Sequence, residues 1–164
     1  MITLITGGVK SGKSSRALEL ARNHFSRPIY FIATAEVLDE EMRVRIARHQ
    51  DERGEEFITL EEPVEIDKAV AKAGPYLVVD CIPMWVNNLI YYKREDEFSS
   101  ILEAFIRNLS RDCFVVTNET GLGNIPFDEM TRRYNILLAE ANRRIAAAAD
   151  AVELMVAGIP LKVK

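Results

Sequence analysis

The segment Gly7-Gly8-Val9-Lys10-Ser11-Gly12-Lys13-Ser14 sets glycines, a lysine and a hydroxyl at the spacing G-x-x-x-x-G-K-S. Glycines let backbone N–H groups curl around phosphate oxygens with no Cβ in the way. At this spacing Lys13 reaches the β- and γ-phosphates of a nucleotide, and the Ser14 hydroxyl is a ligand for Mg²⁺. Lys10 is a second cation inside the loop. Eight residues match such a pattern by accident often enough that context decides. Here an apolar strand read over 2–6 precedes the loop and a helix read over 13–25 follows it. The positive N-terminal end of that helix adds to the anion site.

Asp80 follows the apolar run Tyr76-Leu77-Val78-Val79 and so ends a strand. In open α/β sheets the carboxyl ends of the strands form the ligand edge. A carboxylate there holds Mg²⁺ directly or through water; a helix N-cap or turn residue is the competing reading. The chain has two histidines, His24 and His49. A neutral imidazole is a good nucleophile near neutral pH and forms a phosphoramidate with an activated α-phosphate. On the residues alone, the simpler reading of His49 is a solvated or capping side chain one turn after Arg45. His24, at the end of the first helix, reads as structural. Asn118-Glu119 ends another strand at the same edge. Gly121 and Gly123 beyond it either let backbone approach a ligand or serve a plain strand-to-helix loop.

These residues need a scaffold, and the apolar pattern supplies one. Strands are read over 2–6, 29–33, 57–60, 76–79, 113–117 and 152–156. Helices are read over 13–25, 39–52, 64–72, 84–92, 95–109 and 129–148. Gly158 and Pro160 make a turn, with 161–164 returning as an antiparallel edge. Strand alternating with helix is the signature of a parallel α/β sheet covered on both faces. No linker, repeat or low-complexity tract divides the 164 residues, so one domain over 1–164 is expected.

Apolar residues make up 48% and charged residues 28%, the balance of a soluble globular chain. The net charge of −4 argues against bulk binding to nucleic acid or anionic membrane. A phosphate site must therefore come from local geometry. No apolar run reaches the length of a membrane span, and the N-terminus runs into the glycine loop without a basic or long apolar leader. A cytoplasmic setting is expected. Cys81 and Cys113 lie in or beside strands and read as buried thiols in a reducing compartment. No Cys/His cluster has zinc spacing.

Several blocks together resemble one family. They are Thr6 through Ser14; Thr34-Ala-Glu-Val-Leu-Asp-Glu-Glu-Met42 with Arg45, Ile46 and His49; and Asp80-Cys81 with Trp85 and Asn88-Leu89. Val116-Thr-Asn-Glu119 with Gly121 and Gly123, and the ending from Ala146 through Asp150 to Lys162, complete the set. The chain resembles, over essentially its whole length, the bifunctional adenosylcobinamide kinase/adenosylcobinamide-phosphate guanylyltransferases of cobalamin biosynthesis. The resemblance implies a P-loop NTPase fold with a RecA-like, mostly parallel sheet and a homotrimer whose neighbouring subunits share the active-site clefts. It implies two reactions, phosphorylation of adenosylcobinamide by GTP or ATP and transfer of GMP from GTP onto the product, with Mg²⁺. It implies that His49 carries GMP. It also implies guanosine contacts at Ala33, Thr34 and Ala35, at Gln50, Asp51, Glu52 and Arg53, and at Glu61. A carboxylate such as Glu61 accepts from guanine N1–H and N2–H₂ together, which adenine cannot offer; an acidic surface residue is the equal alternative.

The chain departs from the family on the last long helix. An Arg-Phe-Arg-Asp segment, then Gly and Asn-Gln, is usual there. Here Arg133-Tyr-Asn-Ile136, Ala139 and Asn142-Arg143 stand in place. Phe57 replaces a frequent tryptophan. The nucleotide positions are intact, while the acceptor positions are altered. A P-loop kinase for another small molecule, or a GTP-binding protein without turnover, are the readings that these changes leave open.

Overall fold

The computed structural model of the chain describes residues 1–36, 40, 43, 44, 47, 50, 53–109, 112–123 and 125–164. Among the described residues seven strands are present: β1 (Ile2–Gly7), β2 (Ile29–Ala33), β3 (Phe57–Glu61), β4 (Tyr76–Asp80), β5 (Asp112–Val116), β6 (Ala151–Val156) and β7 (Ile159–Lys162). They form one sheet in the order β3-β2-β4-β5-β1-β6-β7. Every neighbouring pair is parallel except β6 and β7. After β5 the chain crosses β1 to form β6, so the strand order turns at β1. In open α/β sheets ligands bind at such a turning point, beyond the carboxyl ends of the strands.

Helices bounded by described residues cover the sheet: α1 (Lys13–His24), α2 (Ile66–Lys72), α3 (Ile82–Tyr91), α4 (Phe98–Asn108) and α5 (Glu129–Ala148). Alternate residues of each central strand feed opposite faces, as a period of two requires. Leu77, Val79, Cys113 and Val115 meet α2, α3, α4 and α5 in one core. Val78, Phe114 and Val116, with Ile5 and Phe31, meet Ala17, Leu18 and Ala21 of α1 in the other. Because both faces are covered, β4 carries a continuous apolar run rather than an alternating one.

Apart from the helix read over 39–52, each expected element is found, with local chemistry moving its ends. α1 stops at His24 because Phe25 turns extended and stacks its ring on Phe114 and Tyr76, at 4.8 and 5.2 Å. The helix read from 64 begins at Ile66, because the Glu62 carboxylate accepts from the N–H groups of Val64 and Glu65 at 3.0 and 2.8 Å. α3 starts two residues before the reading, with Pro83 in its first turn, where its missing N–H costs nothing. The helix read over 95–109 divides into a 3₁₀ turn, Glu95–Glu97, and α4. The last hairpin turns at Ala157 and Gly158, both at positive φ (51° and 84°), so Pro160 lies within β7. Of the helix read over 39–52, residues Glu40, Arg43, Val44, Ala47 and Gln50 are helical. Met42, Ile46, His49, Asp51 and Glu52 lie outside the described residues.

Neither cysteine is in a disulfide. Cys113 is buried as expected, whereas Cys81 is only partly covered, since it follows the end of β4 rather than lying within it. Among the described residues no helix is long and apolar enough to cross a membrane.

Phe105 on α4 has no solvent exposure and belongs to the larger core. Phe105→Ala should lower stability by about 3–5 kcal/mol, read as a fall in the denaturant midpoint, with triphosphate affinity of the folded fraction unchanged.

Candidate active site

The loop between β1 and α1 is held by its glycines. Gly7 has φ of 150°, and a Cβ there would lie 2.6 Å from the Met155 carbonyl oxygen and 2.8 Å from Ser11 Oγ. Gly12 caps α1 at φ 93°, a left-handed conformation that side chains strain to adopt. Lys10 also takes positive φ, 55°. Two neighbours brace the loop. The Glu119 N–H donates to the Gly7 carbonyl at 3.1 Å, and the Gly158 N–H of the last hairpin donates to the Ser11 carbonyl at 3.2 Å.

Lys13 is nearly buried, at 7% exposure. Its ammonium folds over the loop, donating to the Gly8 carbonyl at 2.5 Å and to Ser11 Oγ at 3.5 Å. Ser14 follows in the first turn of α1, half-buried, while Gly8, Val9 and Lys10 face solvent. Cation, hydroxyl and helix N-terminus thus share one small region.

The sheet register carries the site away from the loop. Ala33 pairs with Glu61 on one side and Asp80 on the other. Asp80 pairs with Val116, and Val116 with Ile5, two residues before Gly7. Glu61, Ala33, Asp80 and the approach to the loop therefore lie in one row at the carboxyl edge. Four strand spacings separate Glu61 from β1, roughly 19 Å.

Hydrogen bonds tie this row together. The Thr34 N–H donates to the Asp80 carbonyl at 3.2 Å. The buried Thr34 hydroxyl donates to the Cys81 carbonyl at 2.7 Å and accepts from the Cys81 N–H at 2.9 Å. Ala35 follows, half-buried. Gln50 Nε2 donates to Glu61 Oε1 at 3.2 Å, joining two of the residues expected at the guanosine site. Arg53 is 5% exposed, with its guanidinium 4.2 Å from the Phe31 ring centroid. Its Nε has no hydrogen-bond partner among the described residues. Burial pushes its pKa down, and the charges of Asp80 and Glu61 oppose that shift. A buried cation facing two carboxylates at the same edge is where an anionic ligand would find charge already desolvated.

Some supporting residues were not singled out for a role by sequence. Asn142 of α5 accepts from the Thr117 hydroxyl at 2.6 Å and donates to the Asn118 carbonyl at 2.8 Å. It thereby fixes the segment that braces Gly7. Asn88 and Trp85 of α3 donate to backbone carbonyls of Thr34, Pro63 and Val64. The sequence signal was a polar residue on the buried stripe of an apolar helix. Tyr134 on α5 is partly buried, and desolvation, with Cys81 nearby, raises its phenol to about 12. Ile136, Ala139 and Arg143, the departing positions, line a recess of about 570 Å³ between α4 and α5. No phosphate-loop residue lines that recess.

Known proteins resemble this arrangement at two levels. Residues 3–163 match the family model described as cobinamide kinase / cobinamide phosphate guanyltransferase. The bifunctional adenosylcobalamin biosynthesis protein CobP of Pseudomonas aeruginosa is 37% identical over 171 residues, covering 100% of this chain and 98% of the relative. The protein CobU of Escherichia coli, which carries the same description, is 34% identical over 183 residues, covering 100% of both. Among solved structures, the KaiC-like protein PH0186 of Pyrococcus horikoshii superposes with a TM-score of 0.54 at 18% identity, covering 93% of this chain and 71% of that one. The flagellar accessory protein FlaH of Methanocaldococcus jannaschii gives 0.53 at 12% identity, covering 99% and 77%. These two likenesses show the fold, that of P-loop NTPases.

Gly7→Ala should cost triphosphate binding about a hundredfold, since backbone rather than a flexible side chain blocks the new Cβ. Calorimetric titration of the folded variant with Mg²⁺-GTP checks this; affinity within a few-fold of wild type would show that the loop does not need that close approach.

Proposed function

The chain belongs to the family of cobinamide kinases / cobinamide phosphate guanyltransferases, and from that membership we propose that it phosphorylates adenosylcobinamide and then transfers GMP from GTP to adenosylcobinamide phosphate. In the first reaction the acceptor hydroxyl oxygen attacks the γ-phosphorus. The bond to the β-phosphate oxygen breaks, a nucleoside diphosphate leaves, and the hydroxyl proton is released. Lys13 offsets charge gathering on the transferring phosphoryl oxygens. In the second reaction a His49 nitrogen attacks the α-phosphorus of GTP, and pyrophosphate leaves. GMP is then held by a P–N bond. An oxygen of the acceptor phosphate displaces the imidazole, giving adenosylcobinamide-GDP and restoring His49.

The observation that carries this reading is the single row from Glu61 through Ala33 and Asp80 to the phosphate loop. It offers a base end and a phosphate end along one sheet edge. At the base end Glu61 accepts from guanine, Gln50 orients it, and Ala33, Thr34 and Ala35 supply backbone. Arg53 offers charge to the phosphate groups between, and Asp51 and Glu52 belong to the same expected set. At the phosphate end the N–H groups from Gly7 to Ser14 cradle the triphosphate, with Lys10 beside them.

Mg²⁺ fits the phosphate end. Ser14 and Asp80 offer one hydroxyl and one carboxylate, the sparse donor set this ion takes when phosphate oxygens and water complete its shell. Among the described residues no group of three His, Cys, Asp or Glu side chains offers a denser cage. Bound there, the ion would neutralise phosphate charge.

The same reading takes residues 1–164 as one domain acting in the cytoplasm; two cysteines outside any disulfide accord with a reducing compartment. It takes the assembly as a homotrimer, in keeping with Ile159 and Leu161 exposed on β7. A second reading, a P-loop kinase for another small molecule with His49 incidental, is favoured by one observation. The departing side chains Ile136, Ala139 and Arg143 share a recess apart from the loop, so the acceptor could change without touching the donor.

GTP labelled at the α-phosphorus, incubated with the chain and then denatured, decides between them. Label should stay on the chain, survive base, be lost in acid, and be absent from His49→Ala. No retained label under turnover conditions would remove the transferase half.

A further inference from the structure

Asn88 lies in the middle of α3, 1% exposed, on a helix otherwise buried through apolar side chains. Burying an amide without partners costs stability, so its partners explain its presence. Nδ2 donates to the Thr34 carbonyl at 2.8 Å and to the Pro63 carbonyl at 2.9 Å. Both neighbours are carbonyl oxygens, which fixes the amide with its NH₂ group towards them. One nitrogen with two hydrogens thus spans two separate chain segments. The first leaves β2 at Ala33, and the second leaves β3 at Glu61. A further bond, from the Glu62 N–H to the Ala33 carbonyl at 2.9 Å, joins the same two segments.

The consequence spreads through the base end of the row. Thr34 is bonded through its hydroxyl to both backbone groups of Cys81 and through its N–H to Asp80. Asn88 therefore sets where Thr34 sits relative to Asp80 and, through Pro63, relative to Glu61. An aspartate would face two carbonyls with acceptors. An apolar residue would leave both carbonyls without their donor.

We propose that Asn88 is a positioning residue for guanosine specificity: its amide holds the Thr34 and Glu61 edges of the base site at a fixed separation. It touches no substrate and acts through backbone. The proposal rests on the guanosine reading of Ala33–Ala35 and Glu61, and its test is chosen to fail separately from that reading.

The measurement is direct binding of GTP, ATP and inorganic tripolyphosphate to the chain with Mg²⁺, without cobinamide. In Asn88→Ala and Asn88→Asp the GTP affinity should fall about tenfold, and the preference for GTP over ATP by the same factor, with tripolyphosphate affinity held within about twofold. Asn108→Ala removes a comparable amide-to-carbonyl bond, to Asp67 at 3.1 Å, and should leave the preference unchanged. Full preference for GTP in both Asn88 variants overturns the positioning role alone. No preference in the wild-type chain overturns the guanosine reading and this role with it. If both variants fail to fold, hydrogen exchange on the wild type takes their place. GTP, but not tripolyphosphate, should protect 34–35 and 62–65 together. Protection of only one segment overturns the proposal.

Discussion

The close approach of β1 to β6 at Gly7 is the constraint on which the rest depends. A residue with a Cβ at Gly7 would meet the Met155 carbonyl oxygen at 2.6 Å, so the chain leaves the strand along a path open only to glycine. That path sends the next residues into a loop rather than a continued strand. The loop then ends at Gly12, whose left-handed backbone starts α1 with Lys13 and Ser14 in its first turn. Phosphate chemistry follows from backbone geometry: N–H groups, a helix end and a cation converge because one strand stops where it does.

The neighbouring elements keep that geometry in register. Glu119 bonds Gly7, Asn142 fixes the segment containing Glu119, and Gly158 bonds Ser11. On the other side, Thr34 ties β2 to Asp80 and Cys81. Each brace is a hydrogen bond to backbone in or beside a buried setting, where losing a partner is costly. The electrostatics agree with this plan. Lys13 and Arg53 are both nearly buried cations at one edge of a chain with net charge −4.

What could be read from sequence was what local chemistry determines. The phosphate loop was legible because its spacing, its strand and its helix are contiguous. Asp80 was legible because an apolar run visibly ends there. The sheet class followed from alternation of elements. The remainder depended on tertiary neighbours. Arg53 was named only through the family resemblance, and nothing in its charged stretch signals that Phe31 covers it. Asn88 interrupts an apolar helix, but its purpose appears only when Thr34 and Pro63 arrive from elsewhere. The last hairpin was set two residues late, since Ala157 takes a positive φ that favours glycine and gives no warning in sequence. The departures at Ile136, Ala139 and Arg143 were legible as changes, and their shared recess was not.

The central claim is that one phosphate loop serves attack at the γ-phosphorus and at the α-phosphorus of a nucleotide, with His49 as the second nucleophile. Tandem mass spectrometry of a GTP reaction quenched in base addresses this most directly. The account predicts GMP attached to the peptide that contains His49, at its imidazole. GMP on any other residue, or an unmodified peptide during turnover, would contradict it.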